Sequence, residues 1–208
     1  MSWTSRVVWQ EGMFLRAQHF QQQDRWVEQM LRARIASLGP YWWGVDELEI
    51  NHNALGIGRF ELTRAAGAFP DGTPFGFPGG DVNDPPPLEL GDQVRNATIH
   101  LALPSPALHA IQVTDAAHPE EKRLQATDFE VMDTHSGSPE PAGLVVGQLR
   151  LRLMLGEDDR AGYQSIAVAR CARSRRIAGS RSMTGSFRRC CPAGPRRRCR
   201  VSSPNWSA

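Results

Sequence analysis

Six histidines are the first residues to test for chemistry: His19, His52, His100, His109, His118 and His135. No two of them stand in an HxH or HxxxH pattern, the spacings that set two imidazoles side by side on a strand or a helix around a metal. A metal site assembled from distant residues stays open, but no cysteine precedes Cys171 to join one. His19, near an expected helix start, fits packing or a hydrogen bond there. His100 sits among alternating apolar residues and fits a strand face better than a ligand. The carboxylate pairs Asp46/Glu47 and Asp158/Asp159 fall in turn-like stretches, where acids are solvated. Gly79-Gly80 lies between prolines and opens no helix, so it does not cradle phosphate as a P-loop does. No Gly-x-Ser-x-Gly elbow occurs. The residue types point to a binding and assembly protein with no catalytic residues, no metal and no cofactor.

Aromatic residues carry more information. Trp3, Trp9, Trp26, Trp42 and Trp43 crowd the first 43 residues. Indole rings bury large areas and are enriched at interfaces. Two readings follow: Trp26 and Trp42 fix a helix onto a sheet, and Trp3 and Trp9, on an N-terminal arm, either pack locally or contact another subunit.

The elements that must position these residues can be read from periodicity. Val7, Val8 and Trp9 form a short apolar piece before Glu11-Gly12-Met13. Residues 15–38 are expected to be helical, because Val27, Met30, Leu31, Ile35 and Leu38 recur at spacings of three and four. Gln21, Gln22, Asp24, Arg25, Glu28, Arg32 and Arg34 occupy the other side, and Gly39-Pro40 is a stop. Beyond it the period becomes two. Strands are expected at Leu48 and Ile50, over 57–62 with Gly56 and Gly58 marking a bulge or close approach, around the Pro70-Asp71-Gly72 turn, at Ile99, Leu101 and Leu103, and over 123–131. Leu149, Leu151, Leu153 and Leu155 alternate with polar residues or Met154 as one strand, and residues 163–168 are expected to return as its antiparallel partner. Asp84-Pro85-Pro86-Pro87 is a loop. Many short strands after one helix imply a mainly β fold, a β-sandwich-like domain with an N-terminal helix, over residues 1–170. No run of about 18 apolar residues spans a membrane, and the N-terminus lacks the basic-then-apolar pattern of a signal peptide. A cytoplasmic location is therefore expected.

Residues 171–208 differ in kind. They hold ten of the twenty-four basic residues, all four cysteines (Cys171, Cys190, Cys191 and Cys199) and no acid, leaving residues 1–170 with a net charge of −8. The cysteines lack CxxC spacing for zinc. Arginine runs bind phosphates by releasing counterions, so a nucleic-acid arm is one reading, though no nucleic-acid motif accompanies it. A disordered tail is another. Out-of-frame translation of a GC-rich gene is the reading preferred here: Ser182 to Arg189, decoded one base earlier, can spell Leu-Asp-Asp-Arg-Phe-Ile-Pro-Pro, and Val201 to Ala208 at the same offset can spell Gly-Phe-Leu-Thr-Glu-Leu-Val-Gly.

Trp9, Glu11, Gly12, Met13, Leu15, Gln18, His19, Phe20 and Gln21 match the pattern Trp-x-Glu-Gly-Met-x-Leu-x-Pro-Gln-His-Phe-Gln, with Ala17 in place of the frequent Pro. In this the chain resembles the TssK (VasE/ImpJ) family of type VI secretion baseplate subunits, over about residues 5–170. The resemblance implies a β-sandwich shoulder akin to phage receptor-binding proteins, docking on the wedge subunits TssF and TssG. It also implies a homotrimer, and a helical neck and a head that contacts TssL and TssM; those later parts, and that contact, are expected to be missing from this chain. The signature residues, together with Phe14, are the expected partner-binding or assembly site. On this basis the location is the cytoplasmic side of the inner membrane, within an assembled baseplate.

Overall fold

An extended arm and a single long helix precede a set of short strands. In chain order the elements are α1 (Ala17–Ala36), β1 (Gly44–Ile50), α2 (His52–Gly56), β2 (Arg59–Phe60), β3 (Leu62–Ala68), β4 (Pro74–Phe77), β5 (Val82–Asn83), β6 (Leu88–Glu89), β7 (Ala97–Pro104), β8 (Val113–Thr114), β9 (Leu124–Val131), β10 (Ala142–Arg150), β11 (Arg152–Leu155) and β12 (Tyr163–Cys171). This computed structural model describes residues 4–37, 42–79, 82–91, 94, 96–107, 110–115, 121–133 and 141–171, with the backbone of three short strands at 175–176, 183–184 and 187–189. The chain divides into two compact units, Met1–Trp42 and Trp43–Ala208.

Within the first unit, α1 runs inside the span expected from its period. Its start is closed by His19: the Arg16 N–H donates to His19 Nδ1 (3.0 Å) and the His19 N–H donates back to the Arg16 carbonyl (3.0 Å). An imidazole thus takes the place that Glu or Gln holds in a capping box. At the other end the Ser37 N–H donates to the Ala33 carbonyl and its hydroxyl to that of Arg34. The expected apolar face is present as a stripe but is not buried: no residue of α1 is, and Leu31 and Ile35 are exposed.

The second unit is mainly β, as expected. One antiparallel sheet has the order β1-β3-β4, a second the order β11-β7-β12, and their inner faces share a core. Val45, Leu48, Ile50, Leu62, Phe75 and Phe77 come from the first sheet. Ile99, Leu101, Leu103, Leu153, Ile166 and Val168 come from the second, so the alternation read on residues 99–103 is that of a core strand. Phe60 and Phe69 are fully buried, each contributing about 1.5–3 kcal/mol by area. Gly67 is required where β3 meets β1: a Cβ there would lie 2.1 Å from the Gly44 carbonyl oxygen.

The Pro70-Asp71-Gly72 turn joins β3 to β4 as expected. Gly72 takes a positive φ of 87°, and Asp71 Oδ1 accepts from the Thr73 N–H (3.0 Å). The other carboxylate oxygen accepts from Arg123 Nη2 (3.0 Å), with both side chains nearly enclosed at 9% and 12% exposure. Arg123 also donates to the Pro104 carbonyl (2.6 Å) and to the Thr73 hydroxyl. One guanidinium therefore ties the β3–β4 turn to the end of β7 and the entry to β9.

Three expectations are corrected. The strand expected over 57–62 is broken up: residues 57–58 turn out of α2, only Arg59–Phe60 forms β2, and Leu62 already opens β3. α2 itself was not expected and forms because the Asn51 side chain accepts from the N–H groups of Asn53 and Ala54 and caps a helical turn. Leu149 to Leu155 is not one strand. β10 ends at Arg150, whose N–H donates to the Arg123 carbonyl, and the chain passes at buried Leu151 into β11 of another sheet. Finally, residues 163–168 do not pair with 149–155. β7 lies between β11 and β12, with Ala102 opposite Arg152 on one side and Ser165 on the other. The connection is too long for a two-residue hairpin turn, and Asp158 and Arg160 brace it by hydrogen bonds to the backbone of Leu155 and Gly156.

β9 and β10 form an antiparallel ribbon of eight residue pairs, from Leu124↔Leu149 to Val131↔Ala142. Among the described residues, β8 and β5 cover only its base, at Leu124–Gln125 and Leu149–Arg150. At that base Gly147 faces Leu124, whose Cδ1 would lie 3.2 Å from a Cβ on the glycine. Farther out, Phe129, Val131, Leu144 and Val145 are exposed. The tail expected to be disordered over 171–208 lies outside the described residues apart from Cys171, the buried end of β12, and the three short strands, of which Phe187–Arg189 pairs antiparallel with residues 169–171 of β12.

Candidate partner-binding site

The signature segment lies in the first unit, where the arm folds back along α1. A reversal at Glu11 and Gly12, with Gly12 at a φ of +76°, is closed by the Met13 N–H donating to the Gln10 carbonyl and the Gln10 N–H donating to Met13 Sδ. The arm then runs antiparallel to the helix. Trp9 lies beside His19 and Phe20, with ring centroids 6.4 and 6.3 Å away. Farther along, the Arg6 guanidinium sits 5.0 Å above the Trp26 ring, and Gln22 Nε2 donates to the Ser5 carbonyl (2.7 Å).

The expected site residues fall into two groups. Trp9, His19 and Phe20 are brought together. Phe14 and Leu15, in the link between arm and helix, project outward: Phe14 is 90% exposed, while Trp9 and Phe20 are about half exposed at 46% and 52%. Glu11, Gln18 and Gln21 are exposed, and Met13 and His19 are half-buried. Gly12 makes the turn and His19 caps the helix, so both act on the backbone. Reasoning from sequence missed Arg6, Gln22, Arg25 and the use of Trp26. The signal was there, since Gln22, Arg25 and Trp26 stand at i, i+3 and i+4 and share one side of the helix. Trp26 stacks under the arm, and Trp3 lies outside the described residues.

In the second unit, no group of three His, Cys, Asp or Glu among the described residues is placed to hold a metal ion. His100 is a strand-face residue of β7. Its half-buried ring has no hydrogen-bond partner at Nδ1, and desolvation, followed by the nearby Arg160 charge, lowers its pKa below 6.5.

The family described as bacterial type VI secretion, VC_A0110, EvfL, ImpJ, VasE matches residues 19–192. The chain belongs to this family. It is 36% identical over 179 residues to the type VI secretion system baseplate component TssK1 of Pseudomonas aeruginosa, an overlap covering 84% of this chain and 39% of TssK1. The chain thus spans about two fifths of the length of that relative. A crystal structure of TssK superposes with a TM-score of 0.78 at 35% identity, over 88% of this chain and 41% of TssK. A chain of the TssK–TssF–TssG baseplate subcomplex has the same fold, with a TM-score of 0.77 at 24% identity over 92% of this chain and 64% of its own. The family match extends beyond residue 170, where the composition changes, to residue 192.

Proposed function

We propose that this chain is a structural adaptor piece of a type VI secretion baseplate, the shoulder that docks on the wedge subunits TssF and TssG, and that it performs no catalysis. One observation carries the reading. The segment bearing the family signature is also where large apolar side chains stand in solvent, led by Phe14 at 90% exposure with Leu15, Trp9 and Phe20 nearby. An exposed aromatic cluster of this kind has the composition of the centre of a protein interface. Among the described residues no helix is long and apolar enough to cross a membrane. The proposed place is in a baseplate on the cytoplasmic side of the inner membrane, held there through partners and, in a homotrimer, by repeated weak contacts.

Phe14→Ala tests the reading. Truncating an interface anchor costs about 2 kcal/mol or more, roughly a thirtyfold rise in Kd. Co-purification with TssF and TssG is expected to fall accordingly, with thermal stability unchanged because the side chain touches little in the free chain. Undiminished co-purification would remove the segment from the interface.

A further inference from the structure

The aromatic patch is composite. Trp9 comes from the arm and Phe20 from the helix, and they meet only while the arm lies back along α1. Its attachments include two side-chain contacts: the Arg6 guanidinium over Trp26, and the Gln22 amide donating to the Ser5 carbonyl. Gln22 is itself oriented, because Arg25 Nη1 donates to its Oε1 (2.8 Å), which turns the amide nitrogen towards the arm. Ser5 and Arg6 meet the helix at Gln22 and Trp26, and Trp9 meets it nearer its start at His19 and Phe20, so the arm as a whole lies antiparallel to α1.

We infer that Arg6, Gln22, Arg25 and Trp26 are positioning residues that fold the arm back and assemble the patch before a partner arrives. The inference rests on the proposed docking on TssF and TssG. A patch that exists only in the folded-back state binds with an affinity reduced by the fraction of time the arm is released. An arm folded back one tenth of the time therefore binds about tenfold more weakly.

The test uses Gln22→Glu in the full chain. The carboxylate keeps its contact with Arg25 but has no proton for the Ser5 carbonyl. Trp26→Leu, which removes the ring beneath Arg6, is the second variant. Release of the arm is read, without any partner, as the rate at which trypsin liberates residues 1–6 by cutting after Arg6, followed by mass spectrometry. Binding is read as the Kd for the purified TssF–TssG complex. Both variants are expected to cleave faster, as the released fraction grows, and to bind more weakly, by about tenfold where the arm is left folded back one tenth of the time, whereas Phe14→Ala binds more weakly with unchanged cleavage. Unchanged cleavage in both variants, or faster cleavage with an unmoved Kd, overturns the inference. An unmoved Kd for Phe14→Ala overturns the docking proposal instead, and the cleavage rates then judge the clamp alone.

Discussion

Replacing Arg123 with Leu should be among the most damaging single changes in the strand-rich unit. The guanidinium donates to Asp71 Oδ2, the Thr73 hydroxyl and the Pro104 carbonyl from a position only 8% exposed. Its removal strands a carboxylate that is 12% exposed and leaves two further oxygens short of a donor. Breaking one side of a buried ion pair costs about 3–5 kcal/mol, since the remaining charge is uncompensated. For a chain of this size each kcal/mol lowers the Tm by about 2–4 °C, so a drop of roughly 6–20 °C is expected. Asp71→Asn keeps an oxygen for the Thr73 N–H and should cost less. Because Asp71→Asn also removes the stranded charge, combining it with Arg123→Leu should cost about 1–3 kcal/mol less than the sum of the two single changes. Urea unfolding followed by tryptophan fluorescence measures all three, with exposed Arg64→Ala as the reference for a generic arginine loss. If Arg123→Leu costs no more than Arg64→Ala, or the two changes simply add, the ion pair is not what holds the β3–β4 turn.

Other expectations are simpler to check. His100 has a lowered folded pKa, so the unfolded chain binds a proton more readily; its contribution to stability is present above pH 6.5 and is lost as the pH falls below that value. Stability measured against pH should therefore flatten over that acid range in His100→Asn, and an unaltered profile would assign the acid sensitivity elsewhere. Gly67→Ala forces a Cβ to within 2.1 Å of the Gly44 oxygen and should cost about 2 kcal/mol or more by displacing β1 from β3; a neutral result would mean that this edge yields freely. Resequencing the gene tests the out-of-frame reading of residues 171–208: a one-base slip near codon 171 is expected, and a verified frame through Ala208 refutes it.

What the sequence made legible depended on how local the determining physics was. The β3–β4 turn, the helix and the core strand at 99–103 all follow from neighbours within a few residues, and each was found. α2 was missed because its cause is one Asn51 side chain, easily outweighed by the strand-like residues that follow it. The break at Leu151 was missed because alternation reports which face a residue occupies, not which sheet it belongs to. Arg123 and Asp71 lie 52 residues apart, and nothing in either neighbourhood names the other. In the candidate site the motif singles out the segment from residue types alone. That Gly12 and His19 serve the backbone while Phe14 faces solvent became visible only with the arm's path, which is set by contacts between residues 5–9 and 19–26.

The close approach of Gly147 and Leu124 has a consequence for how the β9–β10 ribbon finds its alignment. Over its outer half both faces are open to water, so no buried face there penalises a slip of two residues, which keeps the inside–outside alternation intact. At the base the situation differs. A slip in either direction would bring Val145 or Leu149 to the place beside Leu124 where even a Cβ stands 3.2 Å from Leu124 Cδ1, so the Leu124 side chain would have to give way. Pairing of the ribbon is thereby biased from one end, by a residue with no side chain of its own. Enlarging it would be expected to yield a mixture of alignments before it yielded an unfolded chain.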